Sequence, residues 1–507
     1  MGKPVFKPYQ QNQTYLFPPN LEDLVAINHP VRVVSEVIDR INIDSIIAKY
    51  KHVGASSYNP RMLLKVLIYA YLNNEYSSRR IEAAVRENIH FMWLAGMNQP
   101  DHHTINRFRS ERLRHVLREV FSQVVLLLVD TGHVGLREIY TDGTKIESVA
   151  NRYTFVWGKA IKTSRERIKS QLKALWAYTQ RVAAQENSDD TPPDFDKIDS
   201  KEVKATIDRI DAALKDKEVS KDVRQKLNYA RKNWPAKLKQ YRQQEKIMGK
   251  RNSYSKTDPG ATFMRMKEDH MRNGQLKPGY NVQLSTEDQF IVHYSIHPNP
   301  TDTKTLIPHL KQFKKQYGLL PEVQVADAGY GSEENFQYLE SNDIEAYVKP
   351  ADFDRKQRSN YQPANPYGTD QLVYDGNRDT FLCPAGKPMK RTGQYKNTEN
   401  GIVKNYTVYK AKGCRNCPLR EKCHRQKGNR QIKINHRGRR LRAEAEKRLK
   451  TEKGVYYRKK RAADVEPVFG NIKNNKMFKR FRLKGQAKTE IEWGLLSIAH
   501  NLKKLAA

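Results

Sequence analysis

Glu138-Ile139-Tyr140-Thr141-Asp142-Gly143-Thr144 is the stretch on which the fold turns. It reads as a short apolar strand that ends in an aspartate and then a glycine turn, which puts a carboxylate at the rim of a sheet with its oxygens free. The pattern returns in Val323-Gln324-Val325-Ala326-Asp327-Ala328-Gly329-Tyr330-Gly331. A third acidic residue, Glu466, stands in Val465-Glu466-Pro467-Val468-Phe469-Gly470-Asn471-Ile472-Lys473, which reads as helix. Taken singly, an Asp-Gly pair at a strand end is commonly a turn residue or a cap. Taken together, three carboxylates in such contexts offer hard oxygen ligands of the kind that suit Mg²⁺ or Mn²⁺. Two such ions, roughly 3.5–4 Å apart, can hold both the attacking and the leaving oxygen of a phosphodiester.

Around these segments the order of elements is mixed. After the Asp142 strand the chain turns strongly helical and charged until about residue 250, with Ile161, Ile168, Leu175 and Val182 seven apart and Leu172 between them. Val203, Ile207, Ile210 and Leu214, then Val223, Leu227, Ala230 and Trp234, repeat the spacing across a Ser188–Pro193 loop. This predicts a coiled-coil-like helical insertion, either an arm for DNA or a dimerisation element. Alternation returns at 279–297 as a β-hairpin, with Tyr280, Val282 and Leu284 answered by Phe290, Val292, Tyr294 and Ile296. A helix through Leu306 and Phe313, the Asp327 strand, a helix at 333–341 and a strand at 344–348 complete an α/β order with Asp142 and Asp327 on neighbouring central strands.

Before the Asp142 strand, residues 30–129 carry helical periodicity only. Met62, Leu63, Val66, Leu67, Ala70 and Tyr71 make one apolar face, Ser77-Ser78 opens a second helix, and a third runs from Thr104 to Arg112. As a helix-turn-helix reader, that third helix would offer Thr104, Asn106, Arg107, Arg109 and Arg112 to bases and phosphates, with Ile105 and Phe108 packed inward. A helical bundle with a solvated basic face fits the same residues.

Charge narrows the partner. Of 507 residues, 92 are Lys or Arg against 56 Asp or Glu, a net charge of +36 with pI near 9.8, which favours a polyanion. The length suits about three domains. The apolar run Val124–Val129 stops at Asp130, short of the roughly 20 residues a transmembrane helix needs. Met1-Gly2-Lys3-Pro4-Val5-Phe6 has no apolar signal region. The expectation is a cytoplasmic, nucleoid-associated protein facing nucleic acid, with no membrane partner.

All four cysteines fall in one stretch, Cys383, Cys414, Cys417 and Cys423. A Cys-x-x-Cys pair with a third Cys six residues on is ligand spacing, and with Cys383 brought in by a hairpin the four thiolates would satisfy tetrahedral Zn²⁺ in a closed structural site. Reduced free thiols are the alternative, and His424 could replace one ligand.

With these residues placed, the chain resembles bacterial insertion-sequence transposases of the DDE type, whose catalytic domain is ribonuclease H-like and similar to retroviral integrase. The resemblance rests on Thr141-Asp142-Gly143-Thr144, Asp327-Ala328-Gly329-Tyr330 and Glu466-Pro467-Val468-Phe469-Gly470 in this order, after an N-terminal helical region. It implies that Asp142, Asp327 and Glu466 hold two Mg²⁺ (or Mn²⁺) ions and that Tyr457, Arg461 and Lys473 match the Tyr, Arg and Lys that flank the family's glutamate. The implied partner is double-stranded DNA, both element ends and target, bound by a homodimer. Water would attack a phosphodiester at the element's end and the freed 3′-hydroxyl would attack target DNA, with Lys473 near the transferred phosphates. A metal-dependent nuclease without strand transfer and a silent DNA-binding descendant are the rivals. The implied fold is α/β, a ribonuclease H-like mixed sheet at 131–155, 251–350 and 441–507. It would carry a helical insertion at 156–250, a zinc-binding insertion at 351–440 and an all-α N-terminal domain at 1–130.

Overall fold

The computed structural model describes residues 20–50, 56–183, 193–195, 199–266, 274–399 and 402–507. The amino-terminal hexapeptide and most of the expected Ser188–Pro193 loop lie outside them. The central sheet is built on β1 (Glu138–Glu147). A two-stranded pair, β2 (Phe155–Trp157) and β3 (Ser253–Ser255), flanks the helical insertion. The rest of the central sheet is β4 (Thr262–Arg265), β5 (Leu276–Glu287), β6 (Phe290–His297), β7 (Val323–Ala326) and β8 (Glu345–Val348). β5 runs antiparallel to β1, and β4 and β6 pair with β5; β7 and β8 run parallel to β1. The parallel steps are made through the helices Leu306–Tyr317 and Glu333–Ser341, as parallel crossovers require. β5 turns into β6 through Asp288 and Gln289, both at positive φ (47° and 61°), the backbone of a tight type I′ hairpin. The result is a mixed α/β sheet consistent with the ribonuclease H-like arrangement.

One expectation about β1 is corrected. The strand does not stop at Asp142. It continues through Gly143 to Glu147, because β5 pairs with it from Tyr140 opposite Thr286 to Glu147 opposite Gly279. Gly143 is therefore a mid-strand residue, not a turn.

The N-terminal helices are Pro30–Arg40, Pro60–Leu72, Ser78–Glu87, Ile89–Ala95, His102–Arg107 and Leu117–Asp130. They do not close on a core of their own. A single apolar cluster runs from Val31, Leu64 and Phe121 through Tyr140, Val282 and Val325 of the sheet to Trp493, Leu496 and Leu502. The helix Gln486–Leu505 joins the two halves: it packs on the helices Pro60–Leu72 and Leu117–Asp130 and also on β6. Its residues Ile491 to Leu502 are buried on every side.

Both insertions do have cores of their own. Helices Gly158–Ala183, Ser200–Ala213 and Lys221–Met248 bury Ile168, Leu172, Leu175, Ile207, Leu227 and Trp234 among themselves. Asp199 and Glu202 form a capping box at the start of the middle helix. The second insertion is an antiparallel sheet of β9 (Tyr374–Asp375), β10 (Thr380–Leu382), β11 (Pro388–Glu399), β12 (Ile402–Lys410) and β13 (Gln431–Ile434) around Phe381, Met389 and Tyr409. Among the described residues, no helix is long and apolar enough to cross a membrane.

Candidate active site

Strand alternation decides which side chains of β1 meet the helix Glu452–Gly470. Tyr140 lies opposite Thr286 and Asp142 opposite Leu284, on one face. That face looks at the helix: Thr286 Oγ1 donates to Asp464 Oδ1, and the Tyr140 ring lies 6.4 Å from that of Tyr457. In the parallel register Thr141 is opposite Ala326, so Asp142 and Asp327 follow at the next position of adjacent strands. Asp327 leads from β7 into the 3₁₀ turn Ala328–Tyr330, its carbonyl accepting the Tyr330 amide at 3.1 Å.

Glu466 comes from the helix, which runs unbroken through Pro467. A proline inside a helix leaves the carbonyl four residues back without its donor. Here that carbonyl, Ala463 O, accepts from Gln289 Nε2 at 2.9 Å, so the β5–β6 turn compensates the break. Asp464 also binds this turn, through the Gln289 amide at 3.2 Å, and its burial raises its pKa above the usual carboxylate value.

Arg461 bridges two of the three carboxylates. Its Nη1 lies 3.6 Å from Asp142 Oδ2, and its Nη2 donates to Glu466 Oε1 at 3.0 Å. Asp142 is largely covered while Glu466 is mostly exposed. Arg461 itself is only 9% exposed, and its Nε and Nη1 have no hydrogen-bond partner. Buried donors facing a carboxylate cluster are what an incoming phosphate oxygen would satisfy. Among the described residues, no three acidic, histidine or cysteine side chains are drawn tightly enough to enclose one metal ion; the guanidinium stands in the gap between Asp142 and Glu466.

Beneath β1 a second set of polar residues supports the site. A Cβ on Gly143 would fall 2.5 Å from Asp302 Oδ1, 2.6 Å from Gln283 Nε2 and 3.0 Å from Tyr330 Oη, so only glycine lets these groups pack under the strand. Asp302 Oδ1 accepts from Asn281 Nδ2 at 2.7 Å and Gln283 Nε2 at 3.0 Å, and Tyr330 donates to Gln283 Oε1. Burial first, then the carboxylates of Asp302, Asp142 and Asp327, hold the Tyr330 phenol well above its ordinary pKa. Asp302, Asn281 and Gln283 carried no signal in the sequence beyond hairpin alternation, in which Asn281 and Gln283 read as the solvent face. Both are fully buried.

The remaining expected residues scatter. Tyr457 is buried, donating to Glu138 Oε1 at 2.7 Å with its ring 4.5 Å from Tyr347, and does not face outward to DNA. Lys473 lies in a π-helical turn, Asn471–Asn475, and is 9% exposed, where a regular helix would have carried it two turns on beside the reacting phosphates. In the N-terminal region the α-helix stops at Arg107, and a π-helical turn spans Phe108–Arg112. Arg109 lies four residues after buried Ile105, on the same inward face, and is 4% exposed, donating to the Tyr76 carbonyl at 2.7 Å and the Tyr71 hydroxyl at 3.3 Å. Arg109 is thus an internal strut, not a base reader. Arg112 donates to the Lys49 carbonyl and lies over the Tyr50 ring at 4.5 Å. Arg107 and Asn106 are exposed and Thr104 half-buried, with Arg107 3.4 Å from Glu111.

Cys383, Cys414, Cys417 and Cys423 line one small cavity of about 20 Å³, together with His424 and Arg430. Arg430 reaches into it, Nη1 3.0 Å from Cys423 Sγ and its amide 3.4 Å from Cys414 Sγ. The sequence thus brings the four thiols together, but a cation of the chain shares their cavity.

Two family models match the chain: the Transposase DDE domain over residues 382–506 and the Transposase domain (DUF772) over residues 19–111. No curated protein and no solved structure matches it. The first match takes in the Glu466 helix and the cysteine-bearing sheet; the second takes in the N-terminal helices that share a core with the catalytic sheet. Both matches are to transposase domains, and with three carboxylates in the expected order around one mixed sheet they support an insertion-sequence transposase of the DDE type.

Proposed function

We propose that this transposase cleaves DNA at the ends of its element and joins the freed 3′-hydroxyl to target DNA, with Asp142, Asp327 and Glu466 as the metal-holding residues. The observation that carries this reading is the adjacency of Asp142 and Asp327 on parallel neighbours, beneath a helix whose Arg461 ties Asp142 to Glu466. The donors fit a hard divalent cation, Mg²⁺ or Mn²⁺: they are carboxylate oxygens on rigid supports, with buried N–H groups beside them open to a phosphate. Bound there, such ions supply Lewis-acid stabilisation of the charge that builds on a phosphodiester in transfer. Arg461 would turn from the carboxylates to the phosphate, and Lys473 and Tyr457 would act from within the fold, by placing the glutamate helix. Duplex DNA, a homodimeric assembly on it and a cytoplasmic, nucleoid-associated location complete the reading. The test is incubation of the protein with end-bearing duplex and Mg²⁺. Cleaved ends and joined products support transposition; cleavage without joining makes it a nuclease, and binding with neither makes it a silent DNA-binding protein.

The four cysteines have the number and chemistry for a structural zinc ion, which Cys383, Cys414, Cys417 and Cys423 would hold once they draw together and Arg430 withdraws from Cys423; such a site would fold the insertion and take no part in the chemistry. About one zinc per chain in metal analysis supports it. Absence of zinc with four freely titrating thiols refutes it.

A further inference from the structure

The β11–β12 ribbon is the least supported part of the second insertion. β10 pairs with β11 only at Pro388–Lys390, and β13 pairs with β12 only at Thr407–Lys410. Among the described residues from Gln394 to Thr398 and from Val403 to Tyr406, the two strands pair only with each other. Gln394 to Thr398 are all exposed. An isolated two-stranded ribbon is marginal in water, so a ribbon kept at this length needs a reason.

Its chemistry gives one. Lys390, Arg391, Lys396, Lys404 and Lys410 lie on its two strands, whose one acidic residue is Glu399 at the end of β11. Tyr395 lies opposite Tyr406, and their rings are stacked, centroids 5.3 Å apart and planes 13° from parallel. Lys433 Nζ sits 4.8 Å from the Tyr395 ring centroid. By alternation Lys404, opposite Asn397, follows on the same face, and Lys396 emerges on the other. The face is a flat aromatic pair flanked by the cations Lys433 and Lys404, on a support two strands wide. The major groove of duplex DNA is about 12 Å wide and admits such a ribbon, with cations reaching the phosphates on either side.

We infer that the β11–β12 ribbon docks in a groove of duplex DNA, with Lys396, Lys404 and Lys433 on phosphates and the Tyr395–Tyr406 pair against the groove wall. A second copy of the chain is the poorer occupant, because two ribbons of the same charge repel. The inference rests on the transposase reading only for its partner, DNA, and needs no catalytic residue.

The test uses the full chain and a random-sequence duplex of about 30 base pairs, with binding followed by fluorescence anisotropy from about 50 to about 200 mM salt. Lys396→Glu with Lys404→Glu should weaken binding about tenfold at low salt and flatten the slope of log affinity against log salt by about 2, one contact each. Tyr395→Ala with Tyr406→Ala should weaken binding severalfold and leave that slope unchanged. If both paired variants bind like the unaltered protein, the inference is overturned. It is equally overturned if they shift the oligomeric state in light scattering at unchanged affinity, which assigns the ribbon to a second copy. If the unaltered protein binds no duplex, the transposase reading fails along with it.

Discussion

The two faces of β1 and β5 solve the problem of buried polarity in opposite ways. On the face toward the helix Glu452–Gly470 stand charges, Asp142, Glu466 and Asp464, with Arg461 tying the first two together. On the other face stands a chain of uncharged groups. Gln324 Nε2 donates to Thr141 Oγ1 at 2.9 Å; Thr141 Oγ1 is 2.7 Å from Ser285 Oγ, Ser285 Oγ 2.8 Å from His309 Nε2, His309 Nδ1 2.6 Å from Ser295 Oγ, and Ser295 Oγ 2.7 Å from His297 Nε2. The charged face is held half-open, where ligands can exchange; the neutral face is fully buried and holds only while its histidines stay uncharged. One strand thus separates reactivity from rigidity by alternate residues.

The comparison can be broken by experiment. Asp142→Asn removes a charge from the open face and keeps its shape, so cleavage and joining should fall about a thousandfold or more while the thermal midpoint stays close to that of the unaltered protein. A variant that retained cleavage would remove Asp142 from the chemistry.

Acid should strike the other face. Burial lowers the pKa of His293 to about 3 and of His297 to about 4, and lowers His309 well below its ordinary value. The positive charge of Arg118 works in the same direction on all three, while Asp302 opposes it at His297. Unfolded, each ring takes a proton near pH 6.5, so below that pH the unfolded state binds more protons and is favoured. The stability these histidines contribute is complete above about pH 6.5 and is lost as pH falls toward 4, by a few kcal/mol in urea titrations. A midpoint that stayed flat from pH 7 to 4.5 would show that the chain tolerates charge.

Gly143→Ala tests the passage between the faces. The added Cβ meets Asp302 and Gln283 under the strand, and relief of that overlap should cost about 1–3 kcal/mol and lower activity by displacing the Asp142 segment. Thr141→Val, which keeps shape and removes two hydrogen bonds, should cost about 1–2 kcal/mol with cleavage largely intact. If Thr141→Val damaged cleavage more than Gly143→Ala, the neutral face would have to be counted as part of the reacting site.

Where local pattern and local structure coincide, the chain could be read. Asp327 is at a strand end because the short strand Val323–Ala326 runs into a glycine-bearing turn, and Glu466 is on a helix because its neighbours repeat helically. The heptads at 161–182 and 203–234 gave the helical insertion for the same reason. Reading failed where distant segments overrule local signals. Asp-Gly reads as a turn until β5 is laid beside it, and Asn281 and Gln283 read as solvent-facing until Asp302 and Tyr330 pack against them. Arg109 was read as outward because its side chain is charged, yet it lies four residues after Ile105 on the inward face, where Tyr71 and Tyr76 accept its hydrogen bonds. The cysteine spacing foretold a shared cavity but not that Arg430 would reach into it.

The joining of both ends of the chain in one core has a consequence for its synthesis. Tyr76 donates to the Lys476 carbonyl at 2.7 Å and Asn74 to the Asn475 carbonyl at 3.2 Å, across some four hundred residues. The helix Gln486–Leu505, on which the N-terminal helices pack, is made some four hundred residues after them. Until then those helices have no completed core, and until Glu466 has emerged the third carboxylate does not exist. A chain that stops before this helix leaves the apolar faces of its N-terminal helices uncovered, and one that stops before residue 466 also lacks the third carboxylate, so core and proposed site are completed together, long after the first helices are made.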